Sequence, residues 1–427
     1  MNKKNQLVIF FLIWFFVVSV MILKNNPLLF QFGSIYKDEI FRQSGGNVEQ
    51  NFILADHPAD GPATFEYRGG PLRQGFYESD ISPPLILGLK TDQLNYAIHS
   101  ASKSSPAVDA SGLFVGADTS WFEAYDFSGA NLWSYFANNS ARGAHGTASL
   151  DATSVYIGSY NGYFYRFDKR TGRPFWVMKM LGASGCSSIL DGEFLYICTE
   201  SGTDGYLAKL KRRTGELVWK TALFGEQVHS SPTLDHETKT VYIGNNRGGF
   251  IAYDTESGIE KWSFQVGSPV KGTAAIFENQ ICFSSWSKEF ICLDKRSGSV
   301  LHRYDLVSRS QSSAAIDPEE GIAYVYSGVF PRFLLSAFDL KKHQLLWRKA
   351  MEENASGTSP VLTKSKNARK ILWGNCSMKS FCAFDPRTGR ELWQISLDKY
   401  ITSVPTLYQD QFFISLDDGP LVQLKKK

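Results

Sequence analysis

One spacing constrains this chain more than any other feature: an acidic residue, a glycine four positions on, and a tryptophan four after that, returning every 40 to 46 residues. The full triplet stands at Asp168, Gly172 and Trp176, at Asp254, Gly258 and Trp262, and at Asp385, Gly389 and Trp393; with one residue deleted it stands at Asp126, Gly129 and Trp133. Three copies carry one replacement each. Lys211 precedes Gly215 and Trp219, His302 follows Asp294 and Gly298, and His343 lies between Asp339 and Trp347. A period of this length is that of a four-stranded propeller blade.

Within one period the strands read directly as Ser230–Leu234, Thr240–Gly244 and Phe250–Asp254, with Gly258 turning the chain into a fourth that carries Trp262. We letter them a to d from the axis outward. The glycine supplies a tight turn with positive φ, and the tryptophan a large apolar plate between neighbouring blades. Sets of a, b and c occur near 104–126, 147–168, 187–210, 230–254, 272–294, 312–339, 358–385 and 403–425, but only seven are followed by a d strand. The stretch Pro84–Leu89 supplies the eighth from the other end, which removes open sheet edges. The expected fold is therefore all-β, an eight-bladed β-propeller of four-stranded blades over 81–427, its last blade closed by an N-terminal strand. A composition with 14% aromatic residues, 36 Gly and 16 Pro suits many short strands and tight turns.

Ahead of the propeller, Lys3 and Lys4 precede an uncharged apolar run from Leu7 to Leu23, and Lys24 follows it. With no small-residue cleavage site behind it, this run is expected to be one transmembrane helix acting as an uncleaved signal anchor, a cleaved leader being the alternative. Residues 1–6 then form a cytoplasmic tail, 24–80 a linker, and the propeller lies on the periplasmic, extracytoplasmic side of the inner membrane. No cysteine precedes Cys186, which leaves no lipid-acceptor site. A net charge of +3, from 45 basic and 42 acidic residues, gives no field directed at nucleic acid.

The repeats Ser-Ser-Pro, Val-Tyr-Ile-Gly, Ala-x-Asp and Thr-Gly-x-x-x-Trp resemble the pyrroloquinoline-quinone-type repeat family over Pro84 to Lys427. The upstream Tyr67-Arg68-Gly69-Gly70-Pro71-x-x-x-Gly75 resembles the lead-in of its exported bacterial members. The resemblance implies either a quinoprotein dehydrogenase or a non-catalytic scaffold similar to the propeller lipoprotein of the outer-membrane β-barrel assembly machinery. Its dehydrogenases use a vicinal Cys-Cys pair beside pyrroloquinoline quinone and a calcium ion. This sequence has no such dipeptide. The expectation is a scaffold without cofactor, metal or catalytic residue, with the dehydrogenase and a small-anion receptor as the rival readings.

Residues just ahead of each a strand should ring one mouth of the central channel. Alignment on Ser-Ser-Pro puts Lys103, His145, Cys186, His229, Lys271, Gln311, Gly357 and Thr402 there. Lys103, His145, His229, Lys271 and Gln311 are the candidate ligand-binding set, an electropositive ring for an anion or acidic peptide; the competing reading is a set of solvated rim residues. The cysteines fall as within-blade pairs, Cys186 with Cys198, Cys282 with Cys292 and Cys376 with Cys382, either disulfides or buried thiols. Turn aromatics Trp121, Tyr160, Trp286 and Phe330 either pack the blades or offer a peptide-binding surface. The expected partner is a protein or peptide of the cell envelope, bound by a monomeric propeller.

Overall fold

The computed structural model describes residues 50–55, 60–98, 103–137, 143–200, 205–222, 228–329, 332–351 and 358–427. The run at 7–23 lies outside them, as do Phe330 and Gly357. Among the described residues, no helix is long and apolar enough to cross a membrane.

Eight antiparallel sheets of four blade strands each follow one another in sequence order, as the repeat demands. Blade 4 is representative: Thr233–Asp235 is innermost, then Thr240–Gly244, Gly249–Asp254 and the outer Glu260–Gln265. Blade 8 takes Thr406–Tyr408, Gln411–Ser415 and Leu421–Lys426 from the C-terminal end and Leu85–Lys90 as its outer strand, with Val422 opposite Lys90 and Lys426 opposite Leu85. The ring is closed in the way the strand count requires.

Three concentric sets of contacts hold blade to blade. Nearest the axis, the second hydroxyl residue of the Ser-Ser-Pro motif forms a belt. Backbone N–H groups of Ser105, Thr147, Ser187, Ser231, Thr273 and Ser313 donate to the side-chain hydroxyls of Thr147, Ser187, Ser231, Thr273, Ser313 and Ser359 in turn, at 2.9 to 3.2 Å. Val404 N–H donates to Ser105 at 3.0 Å, but Val404 itself offers no hydroxyl, so the belt has seven links and one gap. Farther out, Arg212 pairs with Asp151 at 2.6 Å, Lys295 with Asp235 at 3.0 Å, and Lys169 with Asp109, each across a junction and each buried.

Outermost lies the Trp and Gly pair of the repeat. The indole N–H of Trp219 donates to Thr255 O of the next blade at 3.2 Å, while the ring lies over Gly258, where a Cβ would meet it at 2.7 Å. Gly258 therefore serves twice, since its φ of +69° also makes the turn. The same bond recurs from Trp133, Trp176, Trp262 and Trp347.

The linker expected over 24–80 needs correction where it is described. Gln50–Ile53 adds a fifth, outermost strand to blade 2, antiparallel to Pro174–Lys179. From Ala63 the chain then circles the axis. Ala63–Phe65 pairs with the inner strand of blade 2, and Glu66 accepts from Leu190 N–H of blade 3 at 2.9 Å. The carbonyls of Pro71, Leu72, Gln74 and Gly75 accept from Leu234, Ile276, Ile316 and Leu362 of blades 4 to 7, at 2.8 to 3.0 Å. Asp80 N–H reaches Asp410 of blade 8 at 2.8 Å. Innermost strands carry an edge of unpaired N–H groups, and this segment accepts from that edge in six blades, 2 to 7, and ties itself to blade 8 through Asp410. It closes one end of the channel.

Candidate functional site

The closed end is built on two arginines that have almost no exposure. Arg68 donates to Ala314 O at 2.5 Å and Pro360 O at 3.2 Å, and Arg73 to Ser188 O at 2.9 Å and Pro232 O at 3.1 Å, so two guanidiniums span blades 3, 4, 6 and 7. Burial brings the pKa of Arg73 down to about 10, opposed by the nearby Glu66 carboxylate. A Cβ at Gly75, whose φ is +60°, would stand 2.4 Å from Arg68 Nη2, which explains the last glycine of the lead-in. Their donors are committed to backbone, which makes this end a structural plug.

The opposite end is where each blade begins and where the b–c turns return. Backbone bonds tie the two kinds of segment together, Tyr160 to Gly143 O at 2.9 Å, Trp286 to Pro269 O at 3.0 Å and Ser310 to Ser285 O at 3.1 Å. The described ring residues expected from the sequence lie where the blades begin, but they do not act alike.

Lys103 is not a free cation at the mouth. It is buried, with Asp118 at 3.2 Å and Asp417 at 3.1 Å, and Asp118 also accepts from the N–H groups of Tyr96 and Ile98. It latches blade 1 to blade 8, so the ring loses one of its two lysines. Spacing gave its position, but one of its partners, Asp417, comes from another blade.

Cys186 does not belong to the ring either. The hydroxyl belt runs through Ser187, so the residue of blade 3 that matches His229 is Gly185. Its missing side chain matters, because a Cβ there would lie 2.1 Å from Glu200 Oε1 and 2.9 Å from the Tyr160 hydroxyl. Glu200 fills the vacated place. Its side chain, only 5% exposed, accepts from Tyr160 O–H at 2.7 Å and pairs with His229 Nδ1 at 3.1 Å. The ring of His145 lies 4.4 Å from that of Tyr160. The histidines thus belong to a network around one carboxylate.

The cations of the mouth gather over blades 5 and 6. Lys271 Nζ lies 4.4 Å from the ring centroid of Trp286, and Arg309 Cζ lies 4.6 Å from the same ring. Trp286 and Lys271 are partly exposed, while Arg309 and Gln311 are exposed. Burial lowers the pKa of Lys271, the Glu200 carboxylate opposes that, and Arg309 adds to it. Two cations about one indole favour an anionic group beside an apolar one, by charge and by the aromatic surface together. Thr402 is partly buried.

Sequence reasoning missed Glu200 and Arg309. Glu200 has no slot in the repeat, and its signal is the glycine at 185. Arg309 stands two residues before Gln311, outside the aligned column.

The three cysteine pairs are each joined, with Cα atoms 6.0, 4.1 and 5.7 Å apart, leaving no free cysteine among the described residues. Cys376, Cys382 and Glu391 are the one group of three potential metal ligands there, and two of its ligand atoms are the sulfurs of one disulfide. The described residues therefore do not fit pyrroloquinoline quinone held with calcium. The axis is filled by Arg68 and Arg73, the mouth carboxylate is engaged by Tyr160 and His229, and the cysteines pair within blades.

Comparison with known proteins agrees with this geometry. The family model described as outer membrane protein assembly factor BamB matches residues 92–221, 160–282 and 203–378. A curated relative, the outer membrane protein assembly factor BamB of Shewanella oneidensis, is 22% identical over 237 residues, which is 51% of this chain. The chain spans 57% of that relative's length. Among solved structures, BamB from Moraxella catarrhalis superposes with a TM-score of 0.63 at 17% identity, covering 81% of this chain and 98% of that one. Quinohemoprotein alcohol dehydrogenase from Comamonas testosteroni gives 0.71 at 13% identity, covering 86% and 82%. At such identities the likeness is one of fold, and it spans both an assembly factor and an enzyme.

Proposed function

This chain belongs to the pyrroloquinoline-quinone-type repeat family described as outer membrane protein assembly factor BamB, and from that membership and the geometry of the mouth we propose that it is a protein-binding scaffold of the cell envelope without catalysis of its own. It works as a monomeric propeller on the periplasmic side of the inner membrane, tethered through residues 7–23. The partner is a protein that presents an acidic, extended segment to the open mouth.

The observation that carries this reading is Trp286 with Lys271 and Arg309 against it. A rigid aromatic anchor loses little conformational entropy on binding, and two cations beside it steer an acidic partner during encounter. Glu200 sets the limit of that attraction, because an acidic residue brought too near it is repelled. The ligand is accordingly seated over blades 5 and 6, with Gln311 able to bond its backbone.

Capture by the full chain in its native membrane, with mild crosslinking and mass spectrometry, tests the reading. Lys271→Glu combined with Arg309→Glu should keep the fold by circular dichroism and lose at least about tenfold of the captured acidic partner, the scale of two charge reversals at an interface. Equal capture by the double variant would remove the mouth from the mechanism. Recovery of a stoichiometric quinone with calcium would replace the scaffold by an oxidoreductase.

A further inference from the structure

The junction between blades 5 and 6 departs from the repeat on both of its sides. His302 stands where the tryptophan belongs and His343 where the glycine belongs, and the two imidazoles stack with centroids 4.9 Å apart and planes 20° from parallel. His343 keeps the left-handed turn, at φ +57°, without the glycine that makes such a turn easy. Around this pair four aliphatic side chains face solvent: Val300 at 43%, Leu301 at 37%, Leu345 at 46% and Leu346 at 39% exposure. The outer strand here, Gln344–Met351, is eight residues long, whereas the other blades end in strands of six. Among the described residues no strand pairs with its outer edge.

Blade 2 shows what covers such an edge in this molecule. There the chain lays its own Gln50–Ile53 against the outer strand, antiparallel, with Ile53 opposite Trp176 and Gln50 opposite Lys179. Phe52 is buried by that pairing, and Phe175, Trp176, Val177 and Met178 beneath it are buried too. On blades 3 and 4, whose edges carry no added strand, no residue of the outer strand is buried. An extended strand that buries an apolar side chain, here Phe52, is thus what an outer edge of this propeller accepts.

We propose that the outer edge of blade 6, with the adjoining rim of blade 5, docks an extended apolar segment of a partner protein as an added antiparallel strand. Backbone bonds to the free edge of Gln344–Met351 fix the segment, and Val300, Leu301, Leu345 and Leu346 take its side chains. Four aliphatic side chains fall well short of the about 800 Å² per partner that a stable protein pair buries, which suits a single strand and not a second copy of the chain. The proposal stands apart from the mouth and does not depend on it.

The test uses the full chain and a synthetic peptide with the sequence of residues 47–56, which contains the strand Gln50–Ile53 accepted on blade 2, carrying a photo-crosslinker. Saturable binding with crosslinks to Gln344–Met351 is expected. Leu345→Asp with Leu346→Asp should weaken it at least about tenfold with an unchanged circular dichroism spectrum, and Val300→Asp with Leu301→Asp should weaken it less. The same peptide N-methylated at alternate residues should not bind, since the added strand depends on its backbone. Crosslinks to Pro174–Lys179 would mean exchange with the chain's own strand and would overturn the proposal. Undiminished binding by both double variants, no saturable binding, or chain-to-chain crosslinks through Gln344–Met351 without peptide would overturn it equally.

Discussion

Two cations at one end of the central channel and two at the other do opposite things. At the closed end, Arg68 and Arg73 spend their donors on carbonyls of blades 3, 4, 6 and 7 and have almost no exposure. At the open end, Lys271 and Arg309 lie against the indole of Trp286, which accepts no ordinary hydrogen bond, and neither joins an ion pair among the described residues. The first pair holds blades together; the second keeps its charge available. A binding surface is marked by cations whose donors are uncommitted, and a count of cations alone cannot find it.

The contrast can be broken first at the closed end. Arg73→Ala should cost about 4 kcal/mol in urea unfolding, because buried carbonyls lose charged donors and a cavity is left. A loss below about 1 kcal/mol would show that the plug is dispensable. At the open end, Gly185→Val should cost about 2 kcal/mol, the usual effect of overpacking, and should expel Glu200 from the mouth. A crystal structure with Glu200 unmoved would contradict that role for the glycine.

The c–d turns lie on the rim of the closed end, and acid should loosen them. The N–H of Ser257 leads the bonds that bring Asp254 down to about 2, so its stabilising effect is full above the ordinary carboxylate range and is lost as pH falls from about 4 toward 2. Asp254→Asn should remove about 1 kcal/mol at neutral pH and flatten the loss over that window; an unchanged acid profile would refute the assignment. Smallest of all, Val404→Ser should complete the hydroxyl belt and raise stability by about 0.5 kcal/mol, a hydrogen bond set against lost apolar burial. A lowered melting temperature would show the valine to be worth more than the link.

Legibility followed periodicity. Residues that recur, such as Asp254, Gly258 and Trp262, announced the blades, and the missing d strand pointed to Leu85–Lys90. The segment 63–80 read as a linker because it gives backbone carbonyls to backbone N–H groups, a pairing that imposes no side-chain pattern. Only the lead-in motif with Arg68, Gly69, Gly70 and Gly75 hinted at it. The column of ring residues was legible as positions, not as charges. Asp417, which neutralises Lys103, is 314 residues away along the chain, and nothing in a repeat says which carboxylate will face which amine. Glu200 was hidden for the opposite reason, since it fills a space that another residue leaves by being small.

The encircling segment has a consequence for how the molecule is made. Residues 63–90 are among the earliest described residues to be synthesised, yet their partners are spread over blades 2 to 8 and end at Leu421–Lys426. Asp80 and Leu85–Lys90 cannot be seated until the last blade exists. Contacts of such sequence separation are slow to form, because the entropy of closing the loop must be met before any pairing rewards it. The chain should therefore pass through a stage in which blades 1 to 7 stand as an open arc, and the pairing of Leu85–Lys90 with Leu421–Lys426 should be its final and slowest step.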